Sequence, residues 1–336
     1  MASVISALAV VFLHVNGCFW QFSSTGRYWI TANMIECVFY FAVPVFFMIS
    51  GAMLIDFNKK YSLREYFTKR INKTLIPYIV WSFLGLAFQI WYLQSVLPSN
   101  VNITYILNGL LNGNLVNVYW FFIPLFCTYL TIPLFALIPT EKRKDIFTYI
   151  VVLGFIINVA VPFLNNVFNI GLSYSISLGV VSNLLFYTLV GYLLHNYEIS
   201  KQKRYFLYLF AVIGLIMHFA GTYYASMAAG EISYLYKGYA NLPAVLYSVG
   251  IFTFIKYDLN KIMGNLKVNN LVNFLRNYTF GIYLIHLYVL RIIVKVFSLN
   301  TKSIIYRISA PFLIFGVCVL IIHLLRKIPL MKKILP

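Results

Sequence analysis

Two histidines in apolar segments are the side chains of this sequence best suited to chemistry. His14 ends the run VISALAVVFLH, and His286 lies within YTFGIYLIHLYVL. A titratable group is costly to place in an apolar helix, so it commonly faces a protein interior or a water-filled path and has a function there. Both imidazoles are therefore candidates for proton transfer in catalysis. For His14, a structural hydrogen bond between helices is the alternative.

Charged side chains also occur in apolar segments. Glu36 lies in ANMIECVFYF, and Arg291 and Lys295 lie one helical turn apart in the segment that contains His286. A charge buried in a membrane needs a partner of opposite sign, so we predict that Glu36 pairs with Arg291 in a polar, substrate-binding core. A purely structural ion pair is the alternative.

A cluster of basic residues precedes the third apolar segment. Lys69, Arg70 and Lys73 lie in SLREYFTKRINKTLIPY. Arg70 and Lys73 are three residues apart and share a helical face, which at the mouth of a helix bundle suits the phosphates of a cofactor. Charges that orient the protein in the membrane, or that contact lipid head groups, are the alternative.

The composition indicates what kind of element positions these side chains. Of the 336 residues, 61% are hydrophobic and 10% are charged, whereas about a quarter of an ordinary soluble domain is charged. Apolar segments of about twenty residues recur from end to end and leave no room for a soluble module. We therefore predict an all-α polytopic membrane protein in which residues 1–336 form a single transmembrane domain in the lipid bilayer.

Net charge and cysteine content argue against other classes of protein. The net charge of +18 comes from basic residues in short, separate clusters, so we expect no nucleic-acid partner. The four cysteines lack metal-ligand spacing, so we expect neither a metal site nor a disulfide framework. Small packing residues in apolar segments are the simplest interpretation of these cysteines.

Hydropathy predicts ten membrane-spanning helices. They lie near residues 3–21, 31–55, 75–96, 118–138, 146–165, 177–196, 205–228, 239–256, 278–297 and 304–325. Twenty of the 26 lysines and arginines lie in segments that face the cytoplasm if the N-terminus does, against three in the opposite loops, Arg27, Lys237 and Lys302. The positive-inside rule therefore predicts that both termini are cytoplasmic.

The predicted spans also place the two histidines at similar depth. The helical rise of about 1.5 Å per residue puts His14 roughly 16 Å and His286 roughly 12 Å from the inner edge of the hydrocarbon core. That core is about 30 Å thick, so both imidazoles are expected in one layer near its middle.

Five motifs in chain order resemble the acyltransferase 3 family of membrane O-acyltransferases. They extend over nearly the whole chain and are SALAVVFLH, VPVFFMISGAMLI, KRINKTLIPYIVWS, YWFFIPLFCTYLTIPLF and YTFGIYLIHLYVL. Each motif is loose by itself, but their order on a frame of ten helices is fairly specific.

Two family motifs contain basic residues, and this chain departs from both. The family pattern has an arginine eleven residues before the histidine that matches His14, and this chain has Ser3 there. From this departure we expect either a shortened N-terminus or a protein that is catalytically altered or inactive. The second motif falls on Arg70 and Lys73, where lysine keeps the charge of the family arginine but lacks its planar fork.

The resemblance implies transfer of an acyl group, most often acetyl, from cytoplasmic acetyl-CoA to a hydroxyl of an extracytoplasmic glycan or other cell-envelope acceptor. His14 is then the expected catalytic base, and His286 is expected to position the acceptor or support the oxyanion. Lys69, Arg70 and Lys73 are expected to hold the CoA phosphates. Acyl-CoA is a cosubstrate, no permanently bound cofactor is implied, and the expected location is the bacterial plasma membrane.

Two other functions stay open at this point. A transporter or flippase would use the same polar core without making bonds, and the missing arginine favours it. A membrane uptake or sensing domain of a larger fused protein is the other alternative. Dependence on cytoplasmic acetyl-CoA separates the enzyme from both. The acceptor also stays open among wall polysaccharide, exopolysaccharide, peptidoglycan, a lipid-linked sugar and a small amino acid.

Overall fold

Helices form the framework of the chain. The computed structural model describes residues 1–172, 179 and 184–336, and no β-strand occurs among them. In chain order the helices are α1 (Ala2–Val15), α2 (Arg27–Phe39), α3 (Ala42–Leu54), α4 (Leu63–Arg70), α5 (Ile76–Phe88), α6 (Ile103–Asn112), α7 (Phe122–Ala136), α8 (Thr140–Gly154), α9 (Val161–Phe168), α10 (Leu185–Asn196), α11 (Lys201–Ala229), α12 (Leu242–Tyr257), α13 (Leu266–Arg276), α14 (Thr279–Phe297), α15 (Ile304–Leu325) and α16 (Pro329–Ile334). The all-α membrane fold predicted from the sequence is confirmed.

Eight helical segments in the described part of the chain are long and apolar enough to cross a bilayer, and each coincides with one predicted span. They are Arg27–Lys59, Leu63–Leu93, Asn117–Ala136, Thr140–Phe168, Lys201–Ala229, Leu242–Gly264, Thr279–Phe297 and Ile304–Leu325. The first and sixth predicted spans coincide with α1 and α10. The predicted start of the sixth, at 177–183, falls mostly outside the described residues.

Helix α1 is surrounded by other helices. It has 14 residues, and at about 1.5 Å per residue it is shorter than the hydrocarbon core of roughly 30 Å. It packs against α2, α3, α14 and α15. Its buried side chains include Ala7, Ala9, Val10, Val11 and Val15. Because protein rather than lipid covers most of α1, its length need not match the bilayer thickness.

Hydrogen bonds fix the end of α1 that follows His14. The side-chain amide of Asn16 donates to the carbonyl oxygen of Ala32 in α2 at 2.8 Å. Arg307 in α15 donates to Asn16 Oδ1 at 3.4 Å and to Thr31 Oγ1 at 2.7 Å. Asn16 and Arg307 are both buried. These bonds join α1, α2 and α15 immediately beyond the histidine.

Helices α3 and α10 touch through their backbones. Gly51 in α3 faces Thr188 in α10, and Gly191 in α10 faces Met48 in α3. A Cβ atom at either glycine would overlap the backbone of the facing residue, so the close approach requires glycine at both positions. Since α3 also packs against α1, this contact fixes one wall of the space around α1.

Candidate functional site

His14 and His286 lie side by side where α1 packs against α14. Their ring centroids are 5.0 Å apart, and the rings are inclined at 36°. His286 is fully buried and His14 is half-buried. Contact between helices from opposite ends of the sequence therefore brings the two candidate catalytic histidines together.

Backbone hydrogen bonds determine which nitrogen of His286 carries its proton. Nδ1 lies 3.0 Å from the carbonyl oxygen of Ile282 and 2.8 Å from that of Tyr283. A carbonyl oxygen only accepts, so Nδ1 is the donor, and Nε2 of the neutral ring is an acceptor. Nε2 is buried and has no hydrogen-bond partner among the described residues. His286 lines neither the cavity that His14 shares with Arg291 nor the one that it shares with Glu36, so its Nε2 is an unpaired acceptor in the layer directly behind His14.

Two cavities meet at His14. The larger has a volume of about 490 Å³ and extends to Arg291, and we call it the Arg291 cavity. The smaller has a volume of about 240 Å³ and extends to Glu36 and Lys237, and we call it the Glu36 cavity. The residues that line both are Leu13, His14, Trp20, Val118 and Trp120. His14 can therefore contact molecules in either space.

Glu36 forms a buried ion pair with Lys237. Glu36 Oε1 and Lys237 Nζ are 2.6 Å apart, and the two side chains are 5% and 2% exposed. The predicted pairing of Glu36 with Arg291 is therefore wrong. The reason is that Lys237, in the connection between α11 and α12, reaches into the bundle and occupies the place beside the carboxylate.

Aromatic rings and one free oxygen complete the surroundings of this ion pair. Lys237 Nζ lies over the rings of Tyr40, Phe19 and Trp20, at 4.0, 4.8 and 5.2 Å from their centroids. Such rings attract a cation and partly replace its hydration. Glu36 Oε2 is buried and has no hydrogen-bond partner among the described residues. The Glu36 cavity therefore contains an acceptor atom and aromatic walls, a combination suited to a hydroxyl-bearing ligand.

Arg291 is exposed on α14 and lines the Arg291 cavity with His14. It also lines a third cavity of about 360 Å³, beside Gln89 and Tyr288. No hydrogen bond or ion pair joins its side chain to any residue that the structure describes. Arg291 therefore belongs to the site, but without the carboxylate that the sequence suggested for it.

Comparison with protein families identifies the class of protein that carries this site. A family model described as an acyltransferase domain matches residues 4–323, nearly the whole chain. The chain belongs to the acyltransferase 3 family. No curated protein and no solved structure matches it. The cavities around His14 thus lie within an integral membrane acyltransferase.

The basic residues predicted to bind CoA lie apart from the cavities in this acyltransferase. Lys69 and Arg70 are in the last turn of α4, and Lys73 is in the π-helical segment Ile71–Leu75 that follows. Lys69 and Arg70 pack over tyrosine rings at 3.7 and 5.4 Å from the centroids, and Lys73 is exposed. None of the three lines the Arg291 cavity or the Glu36 cavity.

A basic side chain lies near Ser3, the place of the family arginine. Ser3 lines a separate cavity of about 230 Å³ together with His195 and Lys256. Lys256 Nζ donates to Glu198 Oε1 at 3.1 Å and to the carbonyl oxygen of Leu194 at 2.9 Å. In this acyltransferase the cation beside Ser3 is therefore Lys256 of α12, which is held by Glu198 and the Leu194 carbonyl oxygen.

Sequence reasoning missed three of the residues around the acyltransferase site. Hydropathy assigns Lys237 to an outer loop, although three of its nine neighbours in YLYKGYANLP are tyrosines, which is unusual for a solvated lysine. Trp20 and Trp120 line both cavities. Nothing in the sequence pattern distinguishes these two tryptophans from the many other aromatic residues, which make up 18% of the chain.

Proposed function

We propose that this acyltransferase moves an acyl group, acetyl in the first instance, from acyl-CoA to a hydroxyl of an extracytoplasmic glycan or other cell-envelope acceptor in the bacterial plasma membrane. The observation that carries the proposal is the position of His14, which lines two cavities and lies 5.0 Å from His286, centroid to centroid. A base that serves two substrates must be reachable by both, and the two cavities that His14 lines support this role.

His14 is the proposed general base. Its neutral imidazole accepts the proton of the acceptor hydroxyl as the oxygen attacks the thioester carbonyl carbon. The tetrahedral intermediate then expels the CoA thiolate, which takes the proton back from His14 and leaves as free CoA. The new ester remains on the acceptor. In an alternative, covalent mechanism the acyl group is first bonded to the His14 imidazole and is then transferred to the hydroxyl.

His286 is proposed to orient the acceptor. Its Nδ1 proton is bonded to the carbonyl oxygens of Ile282 and Tyr283, so only Nε2 is left to interact with a substrate. In this tautomer Nε2 accepts a hydrogen bond and has no proton to give to an oxyanion. Of the two roles that the family resemblance implies for His286, positioning a hydroxyl therefore fits its hydrogen bonds better than supporting the oxyanion.

Lys69, Arg70 and Lys73 are proposed to bind the phosphates of acyl-CoA at the cytoplasmic end of the bundle. Three cations within five residues favour a polyanion, and Lys73 is exposed to receive one. A lysine binds phosphate as a point charge, so the departure of Lys73 from arginine preserves this role. The acyl end of the donor would then extend along the bundle toward His14.

A radiolabel assay tests the role of His14. Membranes that contain the wild type, His14→Ala or His195→Ala are supplied with labelled acetyl-CoA, and label is counted in the envelope fraction. His195 is exposed and lines neither cavity that meets at His14, so its variant is the matched control. General base catalysis contributes about 100-fold or more, and His14→Ala is expected to lose at least that much. Full activity in a folded His14→Ala variant would refute the mechanism.

A further inference from the structure

Arg291 is a cation without an anion beside the candidate catalytic base. It shares the walls of a cavity with His14, and no described residue forms an ion pair with it. The carboxylate predicted for it, Glu36, is bonded to Lys237. No aspartate or glutamate lines the Arg291 cavity. The positive charge in this cavity is therefore not neutralised by a side chain of the described chain.

The surroundings of Arg291 add neutral hydrogen-bonding groups. Asn117 lines both cavities that reach Arg291, and Gln21 and Thr301 line the larger one. Tyr306 also lines the larger cavity, and its hydroxyl is buried without a hydrogen-bond partner among the described residues. A full charge together with neutral polar groups suits a polar ligand that carries one anionic group.

The position of the cavity indicates which substrate carries that anion. Its walls include residues that follow α1, such as Gln21, and Thr301 between α14 and α15. The charge distribution assigns both connections to the outer side of the membrane. Lys69, Arg70 and Lys73 lie in the segment assigned to the cytoplasm. An anion bound at Arg291 therefore belongs to the acceptor and not to CoA.

We infer that Arg291 binds an anionic group of the acceptor, a carboxylate or a phosphate ester, while the acceptor hydroxyl reaches His14. The inference rests on the proposed function and narrows it to acidic acceptors, such as a uronic acid or a phosphorylated sugar. The planar fork of arginine matches both anions with two parallel hydrogen bonds. Neutral sugars lack this contact and bind more weakly.

A binding measurement tests the inference without any acyl transfer. Detergent-purified protein is titrated with methyl glucuronide, glucose 1-phosphate or methyl glucoside at constant ionic strength, and the melting temperature is recorded. The wild type is expected to bind one or both anionic probes at least about tenfold more tightly than the neutral one, the effect of one charged hydrogen bond or more. A preference for one anionic probe identifies the carboxylate or the phosphate as the group recognised.

Variants of Arg291 show whether this residue causes the preference. Arg291→Gln is expected to abolish it, and Arg291→Lys, which keeps the charge and loses the fork, is expected to retain part of it. Lys295→Gln is the matched control, since Lys295 lies one turn away on α14 and donates to the carbonyl oxygen of Tyr92. Equal binding of acidic and neutral probes by the wild type, or an unchanged preference in Arg291→Gln, would overturn the inference.

The titration tests the role of Arg291, and the acyl-transfer assay tests the proposed function, so failure of one can be told from failure of the other. The titration contains no acyl-CoA, so it reports acceptor binding alone. Transfer that depends on His14 without any preference for acidic probes would overturn the assignment of Arg291 and leave the proposed function standing. Full transfer in His14→Ala would instead remove the mechanism on which the inference rests.

Discussion

The ion pair between Glu36 and Lys237 shows how one buried charge depends on another in this protein. Both side chains are almost completely excluded from solvent. Removing one partner of such a pair typically costs about 3–5 kcal/mol, whereas replacing both by apolar residues is often neutral. The pair therefore holds the connection between α11 and α12 against α2, and with it one wall of the Glu36 cavity.

Single and double substitutions measure this dependence. Lys237→Met is expected to destabilise the protein by about 3 kcal/mol, because the Glu36 carboxylate loses its partner. Combining Lys237→Met with Glu36→Leu is expected to recover part of the stability that Lys237→Met loses. Thermal unfolding in detergent checks both, with Lys295→Met as a control at an exposed lysine. If the double variant is less stable than the wild type by the full sum of the Lys237→Met and Glu36→Leu effects, the two residues are not coupled.

His286 offers a test of which ring nitrogen is used. Asparagine places its amide near the position of Nδ1, and glutamine places its amide near that of Nε2. Nε2 is the atom proposed to bind the hydroxyl of the acceptor substrate. His286→Gln, which keeps a polar group at that position, is therefore expected to retain more activity than His286→Asn. The KM for the acceptor is expected to rise about tenfold in His286→Asn, with the KM for acyl-CoA unchanged. Steady-state kinetics check this, and the reverse order of the two variants would contradict the assignment.

At the scale of helices, hydropathy locates the spans because lipid requires long apolar segments. Pairing between helices depends instead on shape. Gly51 and Gly191 are visible in the sequence, but nothing in it indicates that they face Thr188 and Met48. The same limit applies to α1, whose central position follows from its contacts with six other helices.

The contact between α3 and α10 predicts a sharp difference between two glycine substitutions. Gly51→Ala forces the two backbones apart, and overpacking of this kind costs about 1–3 kcal/mol. Gly316 lies within α15, and among the described residues no other part of the protein, apart from the adjoining backbone of α15 itself, lies within 4 Å of the place that an alanine methyl group would take there. Gly316→Ala is therefore expected to be neutral or slightly stabilising. Melting temperatures of the two purified variants check this. Equal stability of both would contradict the close approach.

For the whole molecule, the sequence predicts the membrane class, the order of the spans and the two central histidines. These rest on local properties: apolar length, the alternation of charge, and the rarity of imidazoles in apolar segments. The partner of Glu36 could not be predicted, because Lys237 is 201 residues away and lies outside the hydropathy windows. The walls of the cavities could not be predicted either, since several helices contribute to them.

By the proposed function, this membrane protein places acyl esters on an outer-surface acceptor by means of His14. Mass spectrometry of cell-envelope glycans tests it most directly, in cells that produce the wild type, His14→Ala or no protein, with equal amounts of the wild type and the variant in the membrane. Ester groups are expected to be present with the wild type and absent in the other two samples. Identical ester content in cells with the wild type and cells with His14→Ala would contradict it.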